Sequence, residues 1–198
     1  MLMLLLLSPS VASAQEQNEK YDRRVNKYKQ KWERLIPTYT KIQFAGNMGL
    51  LSIGTGWDYG KKNQWETDLM FGYLPKFSSD RAKITMTIKE NYMPWNLRLS
   101  KNFTVEPLAS GLYLNTVLGH DFWVKEPDRY PKSYYGFSTK IRIHLYLGQR
   151  ITYHIAPKYR VTSKSITFFY ELSTCDMFLI SAVTNHYLRP YDYLSLSF

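Results

Sequence analysis

The sequence has little that could hold a small protein together by covalent or metal links. Of 198 residues, one is cysteine and four are histidine. A single cysteine excludes an internal disulfide. The histidines are scattered and lack carboxylate or cysteine neighbours at ligand spacing, so they do not predict a metal site. We expect neither a metal nor another cofactor, and the fold has to be stabilised by packing and hydrogen bonding.

Long apolar runs and acidic residues are also scarce. Residues 1–7 are almost wholly aliphatic, but this run is far shorter than the ~20 apolar residues of a membrane-spanning helix. Ala12-Ser13-Ala14 has the small-x-small form of a signal-peptidase site, so residues 1–14 are predicted to be a signal peptide. No Lys or Arg precedes the run, which suggests that translation starts upstream of Met1.

Positive charge is in excess, with 26 Lys and Arg against 16 Asp and Glu. This excess predicts anionic partners. Because an exported protein does not normally meet nucleic acid, we expect those partners to be outer-membrane lipid and lipopolysaccharide. Aromatic residues make up 16% of the chain, which is typical of strands and of membrane interfaces.

Residues 17–36 have the pattern of one amphipathic helix. Tyr21, Val25, Tyr28, Trp32 and Leu35 recur at helical spacing, and Pro37 follows. The intervening basic residues are Lys20, Arg23, Arg24, Lys27, Lys29 and Lys31. A basic helix with an aromatic stripe is typical of one that lies in a membrane interface. Packing of the stripe on the protein's own core is the alternative.

Alternation with a period of two residues dominates the rest of the chain and indicates strands. The clearest case is 137–147, where apolar residues alternate with a polar face that carries Lys140, Arg142 and His144. The pattern predicts eight strands, at residues 42–57, 65–73, 82–92, 104–118, 137–147, 165–172, 176–185 and 191–198. Gly46 and Gly49 predict a kink or bulge within the first of them.

The polar faces carry both signs of charge and the opposite faces are apolar. A polar interior with an apolar exterior is the pattern of an outer-membrane barrel and the reverse of a ligand-binding soluble barrel. The sequence therefore predicts an all-β fold: an eight-stranded antiparallel transmembrane β-barrel over residues 37–198, preceded by the N-terminal amphipathic helix. The predicted charged network of the barrel interior comprises Glu66, Asp68, Lys83, Lys89, Lys140, Arg142, His144 and Glu171.

Basic residues recur in the links between the predicted strands. With the helix and the chain end in the periplasm, links 58–64, 93–103, 148–164 and 186–190 are expected at the outer surface. Their basic groups suit charge-assisted hydrogen bonds to lipopolysaccharide phosphates, although they would also serve solubility. The predicted phosphate contacts are Lys61, Lys62, Arg98, Lys101, Lys158, Arg160, Lys164 and Arg189.

Several segments resemble those of a known family. They are GTGWDYGKKNQWETDLMFGYLP (54–75), YMPWN (92–96), EPLASGLYLN (106–115), DRYPKSYYGFSTKIR (128–142) and YELSTCDMFLIS (170–181). Together they are similar to an uncharacterised family of small outer-membrane β-barrel proteins of the Bacteroidetes. The resemblance implies a barrel fold and a location in the bacterial outer membrane, and it implies no activity.

No catalytic set is predicted. A helix that leads into an eight-stranded barrel is similar in layout to outer-membrane lipid A-modifying enzymes, but His120-Asp121 and His186-Tyr187-Leu188 do not reproduce their motifs. We therefore expect a structural or accessory role in an envelope complex, with another envelope protein as a partner. The alternatives are a lipid A or phospholipid-modifying enzyme and a soluble exported β-barrel binding protein.

Overall fold

A computed structural model of the chain describes residues 9–76, 81–119, 140–184 and 189–198. The chain divides into two compact units, residues 1–37 and residues 38–198. The first unit holds one helix near the N-terminus, α1 (Pro9–Glu33). The second unit is mostly antiparallel β-sheet. No helix in the described parts of the chain is both long and apolar enough to cross a bilayer.

Helix α1 is longer at its start than the sequence predicted. It begins at Pro9, within the predicted signal peptide, rather than at residue 17, and it ends at Glu33 rather than at residue 36. The last turn is tightened, because the Leu35 amide donates to the Trp32 carbonyl oxygen at 3.0 Å. Tyr21, Tyr28 and Trp32 are each more than half exposed in this unit. The predicted aromatic stripe is therefore present on the helix surface.

The described parts of the second unit contain nine strands, two α-helices and one short 3-10 helix, Pro157–Tyr159. The strands are β1 (Tyr39–Phe44), β2 (Leu51–Tyr59), β3 (Trp65–Leu74), β4 (Lys83–Tyr92), β5 (Leu97–Arg98), β6 (Phe103–Leu118), β7 (Ile141–His154), β8 (Ser165–Cys175) and β9 (Ser195–Ser197). Helices α2 (Asp176–Thr184) and α3 (Pro190–Tyr193) lie between β8 and β9 in the chain.

The strands form one antiparallel sheet that curves into an open half-barrel. Their order is β1-β2-β3-β4-β6-β7-β8-β9, with the short β5 paired to β6. Among the described residues, the two edges of the sheet exchange backbone hydrogen bonds at one end. There the Phe44 amide donates to the Phe198 carbonyl oxygen at 2.6 Å, and the Phe198 amide donates back at 3.2 Å.

The first predicted strand is wrong, because residues 42–57 belong to a hairpin of β1 and β2. The turn contains a run of left-handed backbone conformations, with φ of 62° at Ala45, 76° at Gly46 and 47° at Asn47. Glycine and asparagine adopt this conformation more readily than other residues, so the segment reverses direction instead of kinking.

The last two predicted strands are also corrected. The predicted strand at 176–185 is instead helical as α2 over Asp176–Thr184, the part that the structure describes, and the Asp176 carboxylate accepts a hydrogen bond from the Met177 amide at 2.8 Å at its start. This segment is apolar on both faces, so its period did not distinguish helix from strand. Of residues 191–198, the first three belong to α3 and only Ser195–Ser197 is strand. The hairpin adds one strand and α2 removes one, so the sheet path still has eight.

The two faces of the sheet differ sharply. Side chains on the convex face are apolar and about half exposed, such as Ile53, Phe71, Ile88 and Leu147. Side chains on the concave face are mostly polar and buried. The fully buried group includes Lys89, Gln43, Glu171, Asn91 and Asp68.

Candidate functional site

The concave face holds a network of buried ion pairs that begins at Glu171 on β8. Its carboxylate accepts hydrogen bonds from Lys89 of β4, from Lys41 Nζ of β1 at 3.4 Å and from Gln43 Nε2 of β1 at 3.3 Å. Three strands far apart in the sequence therefore meet at one carboxylate. Gln43 also donates to Ser197 Oγ of β9 at 2.9 Å, which brings the final strand into the same cluster.

Two further carboxylates on β3 extend the network. Asp68 accepts from Lys41 Nζ at 3.1 Å, from Asn91 Nδ2 at 3.0 Å and from the Tyr39 hydroxyl. Glu66 accepts from the same Tyr39 hydroxyl at 3.1 Å and is paired with the Arg150 guanidinium of β7. Both side chains point to the concave face, because successive side chains of a strand point to opposite faces and Thr67 lies between them on the convex side.

The network balances three cations, Lys41, Lys89 and Arg150, against three carboxylates, Glu66, Asp68 and Glu171. Asp68 and Lys89 are completely buried, and Glu171 is 1% exposed. Charges at this depth are tolerated only when they are paired and hydrogen-bonded. Lys89 has additional support, because its Nζ lies 3.9 Å from the centroid of the Tyr146 ring.

Four of the eight residues predicted for the interior network are joined in this cluster: Glu66, Asp68, Lys89 and Glu171. The other four lie towards the opposite end of their strands. Lys83 begins β4 and Lys140 precedes β7, and both are half-buried. Arg142 is 3.5 Å from Asp176, and His144 stacks on the Tyr113 ring with centroids 4.5 Å apart.

The sequence-based prediction missed several members of the network. These are Tyr39, Lys41, Gln43, Asn91 and Arg150. Alternation before residue 42 and after residue 147 was a signal for Tyr39, Lys41 and Arg150, which lie outside the predicted strands 42–57 and 137–147.

The basic residues in the links do not share one surface. Successive links of an antiparallel sheet lie at alternate ends, and the chain enters β1 at Tyr39. The links 60–64, 93–102 and 155–164 therefore lie at the entry end, together with Lys61, Lys62, Arg98, Lys101, Lys158, Arg160 and Lys164. Arg189 lies in the link from β8 to β9, at the opposite end. All eight side chains are exposed.

This arrangement overturns the predicted orientation. The sequence-based prediction put the chain entry and these seven residues on opposite sides of the sheet, because it treated residues 42–57 as one strand. The hairpin puts them on the same side. Two of the seven also bond within their own links: Arg98 donates to the Ser100 carbonyl oxygen at 3.3 Å, and Arg160 to the Ile155 carbonyl oxygen at 2.9 Å.

Groups suited to metal binding or catalysis are few in the described ranges. Within them, no three His, Cys, Asp or Glu side chains are placed to hold a metal ion. His154 lies at the end of β7, where its Nε2 is 2.7 Å from Thr104 Oγ1. His120, Asp121 and His186, which were considered for lipid chemistry, lie outside the described residues.

Comparison with known proteins adds no assignment. No protein-family model, curated protein or solved structure matches the chain. The resemblance to outer-membrane β-barrel proteins of the Bacteroidetes therefore stays a prediction from the sequence.

Proposed function

We propose that residues 38–198 form the wall of a β-barrel that spans the bacterial outer membrane. The observation that carries this proposal is the inverted distribution of side chains between the two faces of the sheet. Apolar side chains cover the convex face along every long strand, whereas monomeric soluble proteins rarely expose apolar patches beyond a few hundred Å². Lipid on the convex face would remove this apolar surface from water.

The dimensions and the aromatic residues support the same proposal. From Trp65 to Tyr73, β3 is about 26 Å long at ~3.3 Å per residue, which becomes ~20 Å of membrane thickness at a tilt of ~40°. Aromatic pairs occur at both ends of the sheet, as in the aromatic girdles of such barrels. Trp65 and Tyr92 have ring centroids 4.5 Å apart at the entry end, and Phe44 and Phe198 are 5.5 Å apart at the other.

We infer that the barrel closes where Phe44 and Phe198 exchange backbone hydrogen bonds. Eight strands enclose a space that side chains alone can fill. The ion-pair network already fills much of the concave face, which favours a structural or accessory role in an envelope complex over transport. The same filling disfavours a lipid-modifying enzyme.

The orientation follows from the position of the chain entry. If the helical segment is periplasmic, the short links at the entry end are periplasmic too. The ends of β6 at Leu118 and of β8 at Cys175 then face outwards, where the longer links of these barrels usually lie. The seven basic residues at the entry end would contact phosphates of the inner leaflet, and Arg189 alone would face lipopolysaccharide.

Helix α1 fits the periplasmic surface of the same membrane. Its exposed aromatic stripe and its basic residues are the features with which amphipathic helices bind an anionic lipid surface. Arg23 and Glu19 form an ion pair at 2.9 Å one turn apart, which stabilises the helix.

The test is cysteine labelling along β7 in lipid vesicles, with Cys175 first replaced by serine. Fluorophores at positions 143, 145 and 147 should be quenched by brominated acyl chains, and fluorophores at 142, 144 and 146 should not. The two sets lie on the same strand, so they are matched controls for each other. If neither set is quenched, the sheet is not in the membrane and the proposed location is wrong. The accessory role has a separate test. Purification in mild detergent should recover the protein as part of a larger complex.

A further inference from the structure

The two edges of the sheet meet only at one end. Strand β9 pairs with β8 over Glu171, Leu172 and Ser173, and Phe198 reaches Phe44 of β1. Towards the entry end, no strand among the described residues lies against the outer edge of 39–43 or of 165–170. We call these two facing edges the seam.

The seam is one strand wide. At its closed end β9 lies between β1 and β8, so those strands are about two strand spacings apart there, or ~9.6 Å. The Lys41 side chain of β1 keeps them close further along, since its Nζ is 3.4 Å from Glu171 and 4.4 Å from the centroid of the Phe169 ring.

Alternation identifies the backbone groups that face the seam. Phe44 turns its N–H and C=O towards Phe198. In an antiparallel strand every second residue does the same, so Ile42 and Thr40 direct theirs into the seam. On β8, Glu171 is opposite Ser197 of β9. Phe169 and Thr167 precede Glu171 by two and four positions, so their N–H and C=O groups point to the same side and face the seam.

From this geometry we propose that the seam binds an extended segment of about five residues from a partner protein, by strand addition. The inference rests on the proposed membrane location, because backbone N–H and C=O groups left unpaired in hydrocarbon are not tolerated. A polypeptide strand offers donors and acceptors at the spacing that both edges require, whereas an acyl chain offers none. The added strand continues the line of β9 and runs antiparallel to both β1 and β8.

The register specifies the sequence that fits. The first, third and fifth residues of the added strand lie beside Gln43, Lys41 and Tyr39, so they face the polar interior. The second and fourth lie beside Ile42 and Thr40 and face outwards. The partner segment should therefore alternate small polar residues with apolar residues and begin with a polar one.

The experiment supplies such a strand covalently. Thr-Val-Thr-Val-Thr is added after Phe198 of the full chain, and a control carries Thr-Pro-Thr-Pro-Thr, which lacks the two N–H groups directed at β1. In nanodiscs, amide hydrogen exchange in the unextended protein should be faster at Thr40 and Ile42 than at Lys41 and Gln43, whose amides face β2. The first extension should slow it by at least about tenfold, and the proline control should not.

The natural occupant is tested in cells with a photo-crosslinker at Thr40, and at Ile88 on the convex face as a control. We expect a polypeptide adduct at Thr40 alone, and we expect the Thr-Val-Thr-Val-Thr extension to abolish it. Slow exchange at Thr40 and Ile42 in the unextended protein, a lipid adduct, or an extension that gives no protection would each overturn the proposal. These outcomes are independent of quenching on β7, so failure of the seam and failure of the membrane location are distinguishable.

Discussion

Replacement of Lys89 by methionine is the most direct test of the ion-pair network. Methionine keeps most of the length and the apolar character of the lysine stem, and it removes the ammonium group with its charge and its hydrogen-bond donors. Lys89 is completely buried and is paired with Glu171. The substitution leaves three carboxylates against two cations in a space that water does not reach.

The expected loss follows from the contacts that remain. Glu171 keeps Lys41 at 3.4 Å, an attraction of roughly 5 kcal/mol at an effective dielectric constant of ~20, but Lys41 is shared with Asp68. Breaking one partner of a buried pair typically costs about 3–5 kcal/mol of unfolding free energy. We expect Lys89→Met to lie in this range, measured by urea unfolding in lipid vesicles with tryptophan fluorescence.

The double variant Lys89→Met/Glu171→Gln separates charge imbalance from lost packing. It restores two cations against two carboxylates, so it should recover most of the lost unfolding free energy. Lys61→Met, at an exposed link, is the control and should change that free energy by less than about 0.5 kcal/mol. A Lys89→Met protein as stable as the unmodified one, or a double variant no better than the single one, would refute the ionic network.

Four further predictions concern the sheet faces, the interior and the helix. Ile143→Arg should lower the unfolding free energy in vesicles by roughly 2–4 kcal/mol, because the new charge meets hydrocarbon; no change would contradict the face assignment. Gly72→Ala should cost about 1–3 kcal/mol in the same assay, since its Cβ would lie 2.0 Å from the Met48 carbonyl oxygen, and full stability would disprove that close approach. Trp32→Glu and Tyr28→Glu should each increase protease cleavage within residues 17–36 in anionic vesicles, and unchanged cleavage would argue against an interfacial helix. Pure protein should give no steady conductance in planar bilayers, and reproducible single-channel steps would show that the interior is not filled.

The sequence predicted the middle of the sheet well because period-two alternation there is unambiguous. The predicted strands at 65–73 and 82–92 differ from β3 and β4 by one residue at one end. The alternating charged positions of these strands also predicted that Glu66, Asp68 and Lys89 lie on one face of the sheet, which is the concave face.

The errors arose where the local sequence pattern does not determine whether the chain continues or reverses, or whether it forms a strand or a helix. Gly46 and Gly49 suited a bulge as well as a turn, and only the pairing of Phe44 with Leu51 shows that the chain reverses. Residues 177–183 are apolar except for Ser181, so neither a helical nor a strand period was visible. The error at residues 42–57 inverts the strands that follow, which is why the links that carry seven of the basic residues were assigned to the side opposite the chain entry. The pairing of Lys41 with Glu171 joins positions 130 apart, and no local pattern reports on such a contact.

That separation also constrains the order of assembly. Lys41 and Lys89 enter the folding chain long before Glu171, and Gln43 meets Ser197 across 154 positions. Until β8 arrives, Lys89 lacks the carboxylate that pairs with it and Lys41 has only Asp68, so transfer of the first four strands into hydrocarbon one at a time is strongly disfavoured. High contact order of this kind slows folding and favours late, concerted closure. If the sheet spans a membrane as proposed, the network makes it compatible with hydrocarbon only when its last long strand is in place.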